Sequence, residues 1–237
     1  MKSALFRIAI SSCLSLLAAS VAGAEELTKV VRLVYQEFEQ GVEPYAVTYT
    51  VSSNHLRIDD ESDDSGFIVF DIKANRIFSV SHVDKSVLVI AESPTAEFEP
   101  DFKVDVEYRP IDDAPKISGK AVYNYRVKAV TSVTSETCMD IQLVPGLLPE
   151  VANTMRSFQK VISGQHVSNL SKTPQEFRTP CYLVDLVYNT GDYYSKGLPV
   201  MEWHSNGKMR QLMNFEQTEV DASLFTIPVE YRQFSLQ

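Results

Sequence analysis

Five carboxylates crowd into residues 59–66, Asp59-Asp60-Glu61-Ser62-Asp63-Asp64-Ser65-Gly66, and calcium binding is the first chemistry they suggest. With Gly66 at the sixth position of a calcium loop, Glu61, Asp63 and Ser65 occupy the first, third and fifth. The twelfth, which should be a bidentate Glu, is Ile72, so the match fails. The run reads instead as a hydrated turn, because like charges repel unless water screens them. His55, His82, His166 and His204 are too scattered for an H-x-H or H-E-x-x-H zinc pattern. No G-x-S-x-G elbow, Walker loop or dinucleotide fingerprint occurs. The S-x-x-K matches at Ser157 and Ser205 fall in an expected helix and an expected turn. Asn169-Leu170-Ser171 is a glycosylation sequon, relevant only in a eukaryotic source. No catalytic residue, metal or cofactor is assigned, and an enzyme is not expected.

The cysteines are more informative. Of three, Cys13 lies in an N-terminal leader, which leaves Cys138 and Cys181 as an even pair in an exported chain. A disulfide between them is the expected reading, with two buried thiols as the alternative. Such a link is worth roughly 4 kcal/mol in the chain-entropy model. There is no C-x-x-C, so a redox motif is not expected.

The leader itself has the layout of a signal peptide over residues 1–24. Lys2 and Arg7 precede an apolar run at 8–21, and Ala22-Gly23-Ala24 offers a cleavage site. The run is too short to span about 30 Å of hydrocarbon. Ile10-Ser11-Ser12-Cys13 loosely resembles a lipid-attachment box, but it would leave a greasy LSLLAASVAGA behind the cysteine. Residues 25–237 are then expected to form a single β domain in the periplasm. A net charge of −9 disfavours nucleic acid or an anionic membrane surface as a partner held by charge. No membrane span is expected in the mature chain.

What would position any site is a series of short strands. AVTYTVS, HLRID, FIVFDI, NRIFSVS and SVLVIA, within residues 46–91, are rich in Val, Ile, Phe and Tyr and separated by turns, which predicts an antiparallel meander. Strands 67–72 and 76–81 carry bulky residues on both faces, so something must pack on each side. KVVRLVYQEF (29–38) fits a helix or a strand, and its β-branched density favours a strand. Pro94, Pro100 and Pro110, with Pro115 after Asp112-Asp113, break up 92–118 into loop, with FKVDVEY inside it as a candidate edge strand. AVYNYRVKAV (121–130) and residues 137–144 resume strand patterning.

Leu148, Val151, Met155, Phe158 and Ile162 form one apolar stripe, predicting a helix over 148–163 with Pro149 at its start and Gly164 at its stop. CYLVDLVY (181–188) reads as a strand beside 139–144, which would bring Cys138 and Cys181 together. Asn206-Gly207 predicts a two-residue hairpin between 199–204 and 208–216. That register pairs Ser205 with Lys208, Trp203 with Arg210 and Met201 with Leu212. FTIPVEYRQF (225–234) closes the chain, and Pro228 caps any strand there.

The order of these features resembles a known family. An export signal, the meander ending in SVLVIA, Ile117-Ser118-Gly119 before YNYRV, a central helix, the W-x-x-Asn-Gly-Lys hairpin and a terminal Phe225-Thr226-Ile227-Pro228…Tyr231 are together similar to the periplasmic lipoprotein carriers of the LolA/LolB-like superfamily. The segment from HLRIDD to SVLVI is similar to that group's repeated strand–turn–strand pattern. The resemblance implies a mainly β fold with one or two helices, in which a strongly curved antiparallel half-barrel wraps around a helix. It also implies an apolar hollow for a lipid, an acyl chain or a lipidated protein. The ligand-binding residues stay unknown, since no basic residue matches the one by which the carriers hold acyl chains. The alternative expectation is a periplasmic protein-interaction or structural module with a filled core and no small-molecule ligand, using a sheet edge or the 92–118 segment to bind another envelope protein.

Overall fold

A 12-residue strand, β1 (Leu27–Phe38), is where the two halves of the sheet meet. The computed structural model describes residues 26–60, 65–93, 100–188 and 191–235. The leader, residues 61–64 of the acidic turn and residues 94–99 lie outside that set. On one side of β1 runs the expected meander: β2 (Tyr45–Val51), β3 (His55–Asp60), β4 (Gly66–Asp71), β5 (Arg76–Ser81) and β6 (Ser86–Ala91). Each pairs antiparallel with the next. On the other side lie β7 (Lys103–Pro110), β8 (Tyr123–Val130), β9 (Ser135–Val144), β10 (Leu198–His204) and β11 (Met209–Asp221). β11 pairs with β1 along twelve residue pairs. The result is one open, curved sheet in the order β12-β6-β5-β4-β3-β2-β1-β11-β10-β9-β8-β7, with β7 at one edge as expected.

The alternation of side chains decides what lies on each face. Leu33, Tyr35, Val47, Tyr49, Val51, Leu56, Phe70 and Ile77 point to the concave side and join the main core. Into that concavity packs α1 (Pro149–Leu170), burying Val151, Met155 and Phe158, the last edge-on to Phe70 at 5.8 Å. Pro149 stands at the start of the helix, as predicted. Gly164 does not end it. The helix continues two turns further, and a methyl group at Gly164 would lie 2.7 Å from the Ser93 carbonyl oxygen. That glycine is where the chain after β6 crosses the helix closely, so its role is packing.

The convex face of β4–β6 is apolar too. Phe67, Val69, Val80 and Val87 form a second, smaller core, covered by Ile227 and Tyr231. The covering element is the C-terminal strap: from β11 the chain makes a short helical turn at Ala222–Phe225 and then crosses the outer face. It ends as β12 (Arg232–Ser235), parallel to β6. Arg57 Nη1 donates to the Leu224 carbonyl at 2.6 Å, and its guanidinium sits 3.7 Å over the Phe67 ring. The expectation that strands with two apolar faces are covered on both sides therefore holds.

Two local expectations are corrected. Residues 181–188 are helical: α2 (Pro180–Leu183) is followed by a π-helical turn at Val184–Tyr188. Thr179 caps α2 by accepting from the Tyr182 N–H at 3.2 Å, with Pro180 at the first helical position. An eight-residue apolar run fits either state by periodicity, and the cap decides it. The hairpin after β10 has three loop residues. His204 pairs with Lys208, the Gly207 N–H donates to the His204 carbonyl at 3.0 Å, and Gly207 takes φ 84°. This is a β-turn followed by a left-handed glycine, so Glu202 stands opposite Arg210, and Trp203 opposite Met209.

Candidate functional site

The corrected register brings together the most unusual chemistry in the molecule. On a strand, Glu202 and His204 share a face, and Arg210 stands across from Glu202 on β11. That face is the concave one. Glu202 is 2% exposed and Arg210 8%. Arg210 Nη2 donates to Glu202 Oε1 at 2.5 Å and to the Tyr194 hydroxyl at 2.6 Å, while Nη1 donates to the Tyr49 hydroxyl at 3.2 Å. The guanidinium also lies 4.9 Å over the Tyr35 ring. Tyr193 donates to the other Glu202 oxygen at 3.4 Å. Burial alone would push the Glu202 carboxyl up, but Arg210 and then His204 hold it below the ordinary carboxylate range. Burial raises the hydroxyl pKa of Tyr35, Tyr193 and Tyr194.

His204 ties this pair to the helical layer. Its Nδ1 lies 2.7 Å from Asp185 in the π-helical turn, and its Nε2 lies 3.5 Å from Glu202. Burial works against the ring's charge, but hydrogen bonds to Asp185 and Glu202 outweigh it and raise the pKa to about 9. The ring is thus a charged rivet between two carboxylates. Below roughly pH 6.5, the pKa of an unfolded histidine, its contribution to stability is complete, and it is lost as pH rises through about 9. Between about pH 7 and about pH 10 the native protein should lose on the order of 3 kcal/mol more stability than a His204→Asn variant, read by urea unfolding. Parallel curves for the two proteins would remove the ring from this role.

A second tie is covalent. Cys138, on β9, and Cys181, in the first turn of α2, form the expected disulfide, with Cα atoms 4.9 Å apart. The partner element differs from expectation: a helix lying over the end of β9, in place of a neighbouring strand.

Beside the network lies a small cavity of about 250 Å³, lined among others by Glu37, His166, Asp185, Glu202 and His204. Burial raises the Glu37 carboxyl and lowers His166. The remaining histidines are separated from it. His55 stacks on Phe225 at 5.4 Å, and His82 meets the Tyr231 hydroxyl at 2.9 Å. Asp59 pairs with Arg57 at 2.7 Å. No group of three or more His, Cys, Asp or Glu among the described residues is arranged to hold a metal ion.

The large opening is elsewhere on the concave side. Between the first two turns of α1 and the ends of β1, β2 and β11 lies an open hollow of about 1090 Å³. Val31, Val51, Ile72 and Val151 supply its apolar wall, and Thr154 and Ser157 face it from the helix. The open hollow forms here because α1 starts where the concave residues change. Further along β1, Leu33 and Tyr35 fill the space; at this end the inward position is Lys29, whose side chain is hydrophilic. Ile72, Val151 and Ser157 stood out in the sequence for other reasons, and none of the lining residues was assigned to a binding site. The alternation within β1 and β2 was visible, but which end the helix leaves uncovered depends on how far it reaches.

Among the described residues, no helix is long and apolar enough to cross a membrane. No protein-family model matches the chain, and no curated protein matches it. Among solved structures it is similar to PNGF-II in a C2 and in a P21 crystal form, at 10% and 11% identity and a TM-score of 0.41 in both. The match covers 88% of this chain but 31% and 32% of those, so the chain spans about a third of their length.

Proposed function

We propose that this chain is an exported, periplasmic binding protein that takes a lipid, an acyl chain or a lipidated protein segment into the hollow between α1 and the sheet. The observation that carries this is the open space of about 1090 Å³ against an apolar wall of Val31, Val51, Ile72 and Val151. It lies at the upper end of the size of small-molecule pockets, commonly about 300–1,000 Å³. Burying apolar carbon against that wall stabilises a complex by about 0.8 kcal/mol per CH₂. The Cys138–Cys181 disulfide fits an oxidising compartment, in keeping with the leader. The resemblance of the sequence layout to that of the lipoprotein carriers supports the same reading.

The test is direct. Protein purified from its own compartment should carry copurified lipid in native mass spectrometry, and the delipidated protein should bind a fluorescent acyl probe. Val31→Trp and, independently, Ser157→Trp should fill the hollow and weaken that binding at least tenfold, with unchanged circular dichroism. Failure of the native protein to bind the probe overturns the proposal, as does full binding by both tryptophan variants.

A second reading rests on a different observation. Among the described residues the sheet ends at β7, with no further strand on its outer edge, and Val106 and Tyr108 on it are 44% and 40% exposed. Such an edge can accept a strand from a partner, as an envelope interaction module would use it. Val106→Lys would then abolish partner capture while leaving the acyl probe bound.

A further inference from the structure

The charges at the mouth of the hollow say more about its ligand, on the premise of the binding function proposed above. Among the described residues that line it, Lys29 is the sole cation. Its register partner across the β1–β11 ladder is Glu219, an acid that also lines the hollow. The other acid, Glu150, lies in the first turn of α1, an end that no side chain caps. There the unpaired N–H groups carry roughly half a positive charge, which Glu150 offsets. The mouth is therefore close to electrically balanced, and slightly negative. Between these charges stand neutral hydrogen-bonding groups, Ser53, Asn153 and Gln217. They can donate to and accept from hydroxyls or amides.

A carboxylate or phosphate head placed here would meet two acids against one cation. A hydroxyl-bearing head would meet partners of both kinds and bring no charge. We propose that the hollow takes a single-chain amphiphile with an uncharged, hydroxyl- or amide-bearing head, and selects it against the same chain ending in an anion. The apolar wall holds the chain, and the rim reads the head. Because the rim charges are exposed, the discrimination is modest and salt-dependent: roughly three- to tenfold at low ionic strength, shrinking as salt is added.

The experiment compares two ligands with one acyl chain, monolauroylglycerol and laurate, titrated calorimetrically into the delipidated full chain at neutral pH and low salt. The expected result is several-fold tighter binding of the glyceride. The Glu150→Gln/Glu219→Gln double variant should bring laurate up to the glyceride, and Lys29→Gln should widen the gap. Laurate binding as tightly as the glyceride, or more tightly, overturns this inference and leaves the binding function standing. A gap that the double variant does not narrow also overturns it, because the rim acids would then not be its cause. If neither ligand binds, the binding function fails and this inference with it.

Discussion

Arg210→Met alone is expected to cost the protein about 3–5 kcal/mol, because it strands the Glu202 carboxylate at 2% exposure without its partner. Glu202→Leu should cost a similar amount by the reverse route, leaving a guanidinium buried among Tyr35, Tyr49 and Tyr194. The double variant Glu202→Leu/Arg210→Met should recover to within about 1–2 kcal/mol of the native protein, since removing both charges removes the desolvation cost as well as the attraction. Urea unfolding of the three variants settles it, provided the m-values agree. Two single changes that simply add would show that the ion pair is not the unit that matters. The buried pair thus makes a weak case for net stability and a strong one for register. A half-buried counterpart, Arg126 with Asp140 across β8 and β9, should by contrast be worth only about 1 kcal/mol.

The second large effect concerns the disulfide. Cys138→Ser/Cys181→Ser removes a link spanning 43 residues, which corresponds to about 4 kcal/mol of loop-closure entropy. At roughly 2–4 °C per kcal/mol for a domain of this size, Tm should fall by about 10 °C. Reduction of the native protein should reproduce the drop. The segment between the two cysteines contains α1, so without the link the helical layer is held to the sheet by packing and by polar contacts such as His204–Asp185, Lys160–Glu92 and Arg210–Tyr194. A Tm unchanged in both experiments would mean that those contacts alone fix the layer.

Much of this architecture is legible in the residues, and the misses have definite physical causes. The meander from β2 to β6 was readable because short runs rich in Val, Ile, Phe and Tyr are separated by polar turns. The start of α1 was readable from Pro149, and β7 from its prolines and its place beside them. The Cys138–Cys181 link was expected from the even cysteine pair, but not its setting: β9 meets the first turn of a helix in place of a neighbouring strand, and the cap signal Thr179-Pro180 was there to say so. The network at Glu202 and Arg210 was hidden by a single residue of register. A two-residue Asn206-Gly207 loop puts Trp203 across from Arg210, whereas the three-residue loop puts Glu202 there and turns the pair inward. The sequence alone does not choose between these loops, because Gly207 suits the left-handed position of either. The hollow was expected in kind and not in place. Its position follows from where α1 begins over β1, a tertiary distance that no local pattern encodes.

The strap that crosses the convex face also sets the order in which this protein can be made. Phe67, Val69, Val80 and Val87 leave the ribosome long before Ile227 and Tyr231, the apolar cover that the C-terminal strap supplies to that small core. β1 must likewise wait for β11, its partner more than 170 positions later by the pairing of Val34 with Asn214 and its neighbours. Pairings this distant in sequence are slow to form, and an unfinished chain displays both a greasy outer face and an open strand edge while they do. Such a nascent chain is a natural client for a holding chaperone. Truncation before residue 227 should therefore yield a species that aggregates, even though every strand of the meander is present.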